Sequence, residues 1–191
     1  MKFPCNYKVL KNNSFKSGNY LLVPIRYEDR LAIMKWRNKQ IYHLRQNKIL
    51  KIEDQNEYFQ KSISTLFIEE KPSQLLFSFL ENDICIGYGG LVHINWRSKE
   101  AEVSFIMATE LEADYFEKNW VTFLHLLEKV AFMDMKFHKL VTYAFDLRPH
   151  LYKALESSKY IEEARLKDHY LFKNKFIDVV IHAKINKYGN I

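Results

Sequence analysis

Between Ala101 and Phe145 the chain sets a long helical pattern between two strand patterns, and this arrangement restricts the fold more than any other stretch. Ala101-Glu-Val-Ser-Phe-Ile-Met107 mixes β-branched and aromatic residues with polar ones, as a strand does. Phe116, Trp120, Phe123, Leu124, Leu127 and Ala131 then fall on one apolar stripe with a period near ~3.6 residues, which predicts a helix packed on a sheet. Lys139-Leu-Val-Thr-Tyr-Ala-Phe145 is a second strand, so the outer strands of this unit are expected to be parallel neighbours. The acidic connection Ala108–Asp114 leads into the helix start, where backbone N–H groups without intrahelical partners can bind an anion.

The rest of the chain adds to this unit on both sides. Tyr20–Ile25 reads as a strand ending near Pro24, and Glu28 and Asp29 open a helix in which Leu31, Ala32, Lys35 and Trp36 give one face and which stops near Asn38. A second helix is expected from Glu53 to Ile68. Gln74–Leu80 and Ile84–Val92 form a hairpin about Glu81-Asn-Asp83, with Gly87, Gly89 and Gly90 marking a bulge or a close backbone approach. Pro149 starts a short helix carrying Leu151, Tyr152 and Leu155, and Arg165–Phe172 with Phe176–Ile185 make a terminal hairpin. The order β, α, α, β, β, β, α, β, α, β, β predicts one α/β (α+β) domain over residues 1–191, with a central mixed, mostly antiparallel sheet flanked by helices.

Composition narrows the function. Apolar residues make up 48% of the chain and aromatic ones 15%, which excludes disorder. The net charge of +6 comes from lysines dispersed among carboxylates, so no nucleic-acid partner is expected, whereas a polyanionic small molecule suits such a surface. Cys5 and Cys85 have no pairing or metal spacing and read as reduced thiols of a cytoplasmic protein. The first residues lack the apolar core of a leader and no run is long enough to span a bilayer, so no membrane association is expected. The histidines lack ligand spacing, so no metal site is expected, and neither a Gly-x-Ser-x-Gly nor a P-loop pattern occurs.

Ala101-Glu-Val-Ser-Phe-Ile106, the helix end Leu126-Leu-Glu-Lys-Val-Ala-Phe132, Leu151-Tyr-Lys-Ala-Leu155 and Asn174-Lys-Phe-Ile-Asp-Val-Val180 occur in an order that resembles the GNAT superfamily of N-acetyltransferases. The likeness covers about residues 20 to 185 and is nearest to the branch of the ribosomal-protein N-acetyltransferases. It implies a sheet splayed at the strand Ala101–Met107 and acetyl-CoA as co-substrate. The acceptor it implies is a primary amine of a small molecule, nucleotide-linked amino sugars included, or of a protein N-terminus. By the same resemblance, backbone groups of Phe105, Ile106 and Met107 hold the pantetheine arm, Lys118, Asn119 and Trp120 lie by the diphosphate, and Asp146 stands where the family has an asparagine. Tyr152 matches the general acid, Glu102 is placed to accept the amine proton, and Trp36, Arg37, Asn38 and Arg45 fall on the acceptor side. A homodimer is compatible with this reading.

One departure from the family pattern bears on activity. The family carries Gln/Arg-x-x-Gly-x-Gly/Ala between strand and helix, where glycine lets backbone approach a diphosphate. This chain has Phe116-Glu-Lys-Asn-Trp120 there and no glycine from Leu91 to Tyr188. Two alternatives follow: a connection of atypical path that still holds CoA, or a GNAT-fold binding protein that has lost acetyl-CoA-dependent activity or uses another acyl donor.

Overall fold

Residues 3–187, which the computed structural model describes, are organised by one sheet of eight strands. Met1, Lys2 and residues 188–191 lie outside the described residues, as do those ends of the expected leader-free N-terminus and single domain. The strands are β1 (Phe15–Ser17), β2 (Tyr20–Pro24), β3 (Leu75–Glu81), β4 (Ile84–Asn95), β5 (Glu100–Met107), β6 (Lys139–Phe145), β7 (Ile161–Phe172) and β8 (Lys175–Ile185). Their order across the sheet is β1-β2-β3-β4-β5-β6-β8-β7. Every neighbouring pair is antiparallel except β5 and β6, which are parallel as a crossover through a helix requires.

That crossover helix, α4 (Glu112–Glu128), runs on through a π-helical turn at Lys129–Asp134, and the predicted stripe from Phe116 to Ala131 is buried throughout. Its rings lock onto the sheet: Phe105 stacks on Phe123 at 4.0 Å, Trp120 meets Phe105 edge-on at 5.0 Å, and Phe79 closes the cluster. Such aromatic pairs add roughly 0.5–1.5 kcal/mol each beyond the area they bury. On the other side of the splay lie α1 (Arg30–Lys39) and a helix that starts as α2 (Ile52–Glu57), passes a π-turn at Tyr58–Ile63 and ends as α3 (Ser64–Leu66). A short α5 (Pro149–Ser157) follows β6, with Pro149 in its first turn as predicted.

The feature that positions the site is the seam between β5 and β6. Their register holds only for Glu100 with Lys139, Ala101 with Leu140 and Glu102 with Val141, after which the strands part. β5 continues to pair with β4 as far as Met107, and β6 pairs with β8 as far as Phe145. The splay expected at the end of β5 is therefore present. On the β4 side, a Cβ at Gly89 would lie 2.8 Å from Phe105 Cα, so glycine sets how closely β4 approaches β5.

Several boundaries differ from the sequence reading: β7 starts at Ile161 instead of Arg165 and β4 runs on to Asn95 past Val92. β1 was not anticipated, because it has only three residues and pairs through the Gly18-Asn19 turn. α1 begins after a 3-10 turn at Tyr27–Asp29, since Arg26 grips Asp29 in a fork of 2.7 and 2.8 Å and Ser78 donates to the same carboxylate. Most consequential, helix begins at Glu112 after a 3-10 turn at Thr109–Leu111, earlier than the expected diphosphate segment near Phe116–Trp120.

Candidate active site

The parting of β5 and β6 opens a cleft of about 440 Å³. Val103 to Ile106 line one wall and Thr142 to Phe145 the other, with Trp120 from α4 and Leu151 from α5 at the back. Where two strands of one sheet separate, the facing N–H and C=O groups lose their ladder partners. An extended chain can take those places as an added strand does. A second cavity of about 380 Å³ lies between α1, α2 and strands β3 and β4. Arg37, Gln74, Val92 and Ser104 line both, so the two spaces meet at Arg37 and Ser104.

Charge is unevenly distributed along the cleft. Glu102 lines it at the closed end of the splay, in an ion pair with Arg45 and 4.0 Å from His93 Nε2. Burial raises the Glu102 carboxyl above its ordinary value, opposed by Arg45 and His93. Arg45 lies over the Tyr143 ring at 4.6 Å, a cation–π contact that holds the loop after α1 across the cleft. Arg37 donates to Tyr88 Oη at 2.6 Å and to Gln46 Oε1 at 2.9 Å. At the open end, Arg148 lines the cleft with an 11% exposed side chain whose nearest carboxylate oxygen, on Glu112, is 4.0 Å away. His43, also lining the cleft, is driven down to about 3 by burial and by the charge of Arg148.

Of the residues singled out from sequence, Arg37, Arg45, Glu102, Phe105, Ile106 and Trp120 come together around the cleft. Met107 caps the same strand, but its carbonyl already accepts from Gln40 Nε2 at 2.8 Å, so the backbone free for a ligand is confined to the residues before it. Trp36 is buried in the core rather than open for stacking. Asn38 braces the acceptor-side loop, accepting from Leu50 N–H and donating to Leu50 C=O, both at 2.9 Å.

The expected diphosphate segment is displaced. Residues 118–120 sit in the second and third turns of α4, where backbone N–H groups are used by the helix itself. Lys118 points to the Tyr20 ring and to Glu81, and Asn119 is buried. Glu117 faces α5, pairing with Lys153 at 2.9 Å and Ser157 at 3.2 Å, so it does not repel a ligand in the cleft. Tyr152 and Asp146 form their own pair beside the cleft: the Tyr152 hydroxyl donates to Asp146 Oδ1 at 2.7 Å, Arg165 donates to Oδ2, and the Tyr152 ring stacks on His182 at 5.2 Å. Burial and that hydrogen bond push the Tyr152 phenol above its ordinary value. Sequence reasoning passed over Arg148, His43 and Tyr143; the one available signal was an arginine directly before the Pro149 that starts a helix.

Residues 22–181 match the family model described as acetyltransferase (GNAT) domain. The chain belongs to the GNAT acetyltransferase family. Solved structures of the same fold include spermidine N-acetyltransferase from Vibrio cholerae in complex with CoA and spermine, at TM-score 0.77 and 17% identity over 89% of this chain and 97% of that one. Ribosomal-protein-S5-alanine acetyltransferase from Vibrio fischeri superposes at TM-score 0.71 and 14% identity over 94% of this chain and 100% of its own. No curated protein matches the chain closely enough to count as a relative. Membership of the GNAT family makes this chain an enzyme of the acyltransferase class. Among the described residues no helix is long and apolar enough to cross a membrane, and no cluster of metal-ligating side chains occurs.

Proposed function

We propose that this GNAT protein is a cytoplasmic single-domain enzyme that transfers acetyl from acetyl-CoA to a primary amine by direct attack in a ternary complex. The observation that carries the reading is the unpaired edge of β5 between Val103 and Ile106, open into a cleft with a second cavity joining it at Ser104. The first space fits an extended pantetheine arm and the second an acceptor. CoA in the Vibrio cholerae spermidine enzyme agrees with the donor. The acceptor is a small-molecule amine, with nucleotide-linked amino sugars in that class, or a protein N-terminus; the ribosomal-protein-S5-alanine acetyltransferase of Vibrio fischeri shares the fold.

The donor supplies a thioester carbonyl, and the chain's residues orient it and move protons. The amine nitrogen forms a bond to that carbonyl carbon while the carbon–sulfur bond breaks. Glu102, which Arg45 and His93 keep oriented, takes the proton released by the amine through water. Tyr152 returns a proton to the departing sulfur, for which its hydroxyl must leave Asp146. Tyr143, in the cleft wall beneath Arg45, is the second candidate for that step.

Calorimetric titration with acetyl-CoA, followed by thiol release in the presence of an amine panel, tests the reading. Binding with saturable thiol release is expected. Absence of binding at millimolar acetyl-CoA refutes the enzyme reading in favour of a binding protein or another acyl donor. Loss of turnover in Tyr143→Phe but not in Tyr152→Phe reassigns the general acid.

A further inference from the structure

A GNAT chain without a glycine cradle needs another holder for the distal, anionic part of its donor, and one cleft residue is built for that. Arg148 sits between β6 and α5, at the position before Pro149, where proline restricts its backbone and its carbonyl accepts from Leu151 N–H at 2.9 Å. Its side chain is largely buried, yet among the described residues its guanidinium donates no hydrogen bond within 3.5 Å. What surrounds it is the Phe116 ring at 5.8 Å and the Glu112 carboxylate at 4.0 Å, in the first turn of α4. A guanidinium has five N–H donors, and here they find no protein acceptor and keep only a narrow opening to solvent, so a bound anion would complete the set.

Its place along the cleft selects the ligand. The splay is closed at Glu102 and widens toward Phe145, and Arg148 lies three residues beyond Phe145. A donor arm running along β5 with its thioester near Glu102 brings its phosphates to this end, while the acceptor cavity joins elsewhere, at Arg37 and Ser104. The other ionisable groups facing the guanidinium are His43 and His150, both shifted downward by burial and by Arg148 itself, the phenols of Tyr42 and Tyr152, and Glu112. Only Glu112 opposes an anion, and burial already raises its carboxyl toward protonation.

We propose that Arg148 is the anchor of the CoA diphosphate in this chain, replacing the missing glycine cradle by a guanidinium fork from the β6–α5 junction, with Glu112 as its resting partner. The inference rests on the acetyl-CoA reading. Phosphate suits the planar fork, which can place two parallel N–H bonds on neighbouring oxygens.

The test compares CoA with pantetheine, which shares the thiol arm and lacks every phosphate, by calorimetric titration of wild type, Arg148→Gln and Glu112→Gln. Wild type should bind CoA at least about tenfold more tightly than pantetheine. Arg148→Gln should weaken CoA by about tenfold or more and leave pantetheine within twofold, and Glu112→Gln should tighten CoA alone. Equal CoA affinity in wild type and Arg148→Gln, or equal losses for CoA and pantetheine, overturns the anchor and leaves the donor reading intact. Should Arg148→Gln fail to fold, wild type and Glu112→Gln decide: no preference for CoA over pantetheine, or no selective gain in Glu112→Gln, refutes the anchor. A wild type that binds neither ligand refutes the donor reading itself.

Discussion

Replacing Gly89 by alanine should strike stability and the cleft together, through space alone. A Cβ built there lies 2.8 Å from Phe105 Cα and 2.9 Å from Ser104 C, with the Ser104 carbonyl oxygen nearer still. Carbon atoms rest at about 3.5 Å or more, so β4 and β5 must separate by over half an ångström at a point where both are backbone and neither can rotate away. Forcing such a fit costs about 1–3 kcal/mol, and one lost ladder hydrogen bond adds about 1 kcal/mol. A total of roughly 2–4 kcal/mol corresponds to a midpoint lowered by about 5–15 °C in a chain of this size. Thermal unfolding followed by circular dichroism measures it. Gly18→Ala is the control, because its φ of +56° strains a side chain but nothing lies within 4 Å, and only about 1–2 kcal/mol is expected. A Gly89→Ala midpoint within about 2 °C of wild type would refute the argument that β4 and β5 are held apart by no more than a hydrogen atom.

Three further outcomes follow from the same structure. Lys184→Met leaves Glu128 half-buried without the ammonium that contacts both its oxygens at 2.7 Å, and urea unfolding should show a loss of about 3 kcal/mol that Glu128→Gln in the same chain largely restores. His43 takes up a proton at about 3 in the fold and near 6.5 in the unfolded chain, so the unfolded state binds more protons between those values. Stability should therefore fall as pH drops below 6.5, by up to about 1.4 kcal/mol per pH unit from this residue, and His43→Gln should flatten that slope. Glu102→Gln should lower kcat by about a hundredfold while acetyl-CoA binding measured by calorimetry stays within a few-fold; unchanged turnover removes Glu102 from the proton path.

The fold was largely legible because its decisive unit is encoded locally. Helical periodicity from Phe116 to Ala131 and the strand patterns on either side specify a parallel crossover, and the expected hairpins fall at turns whose residues adopt positive φ, Asn82 and Asp83 in one and Lys173 and Asn174 in the other. β1 escaped notice because its three residues carry too little pattern to register. Of the residues named from the sequence, Glu102, Phe105 and Ile106 of β5, Trp120 of α4, Arg37 of α1 and Arg45 just beyond it line the cleft, mostly where strand alternation and helix phase fix which side chains share a face. In the connection between β5 and α4 the structure departs from the reading, because a loop's path depends on partners far away in sequence. Gln40 reaches Met107 and Thr109 at the start of the connection, helix begins at Glu112, and the stretch expected to face a ligand becomes the middle of α4. Arg148 was invisible for the same reason, since its meaning comes from Glu112 and Phe116 across the cleft.

The three-residue seam between β5 and β6 also leaves the sheet with two groups of strands that are joined by little main-chain pairing. Strands β1 to β5 pair in sequence, with the α1–α3 helices inserted between β2 and β3, while β6, β7 and β8 pair among themselves, so few contacts of the sheet cross from one group to the other. The ladder there is short, so what holds the two groups together is chiefly the side-chain packing of α5 on α4, with Leu151, Ala154 and Leu155 in the common buried cluster. Amide hydrogen exchange at Ala101 and Leu140 should then report separation of the two groups rather than global unfolding, and a donor bridging both walls should slow it in proportion to its occupancy.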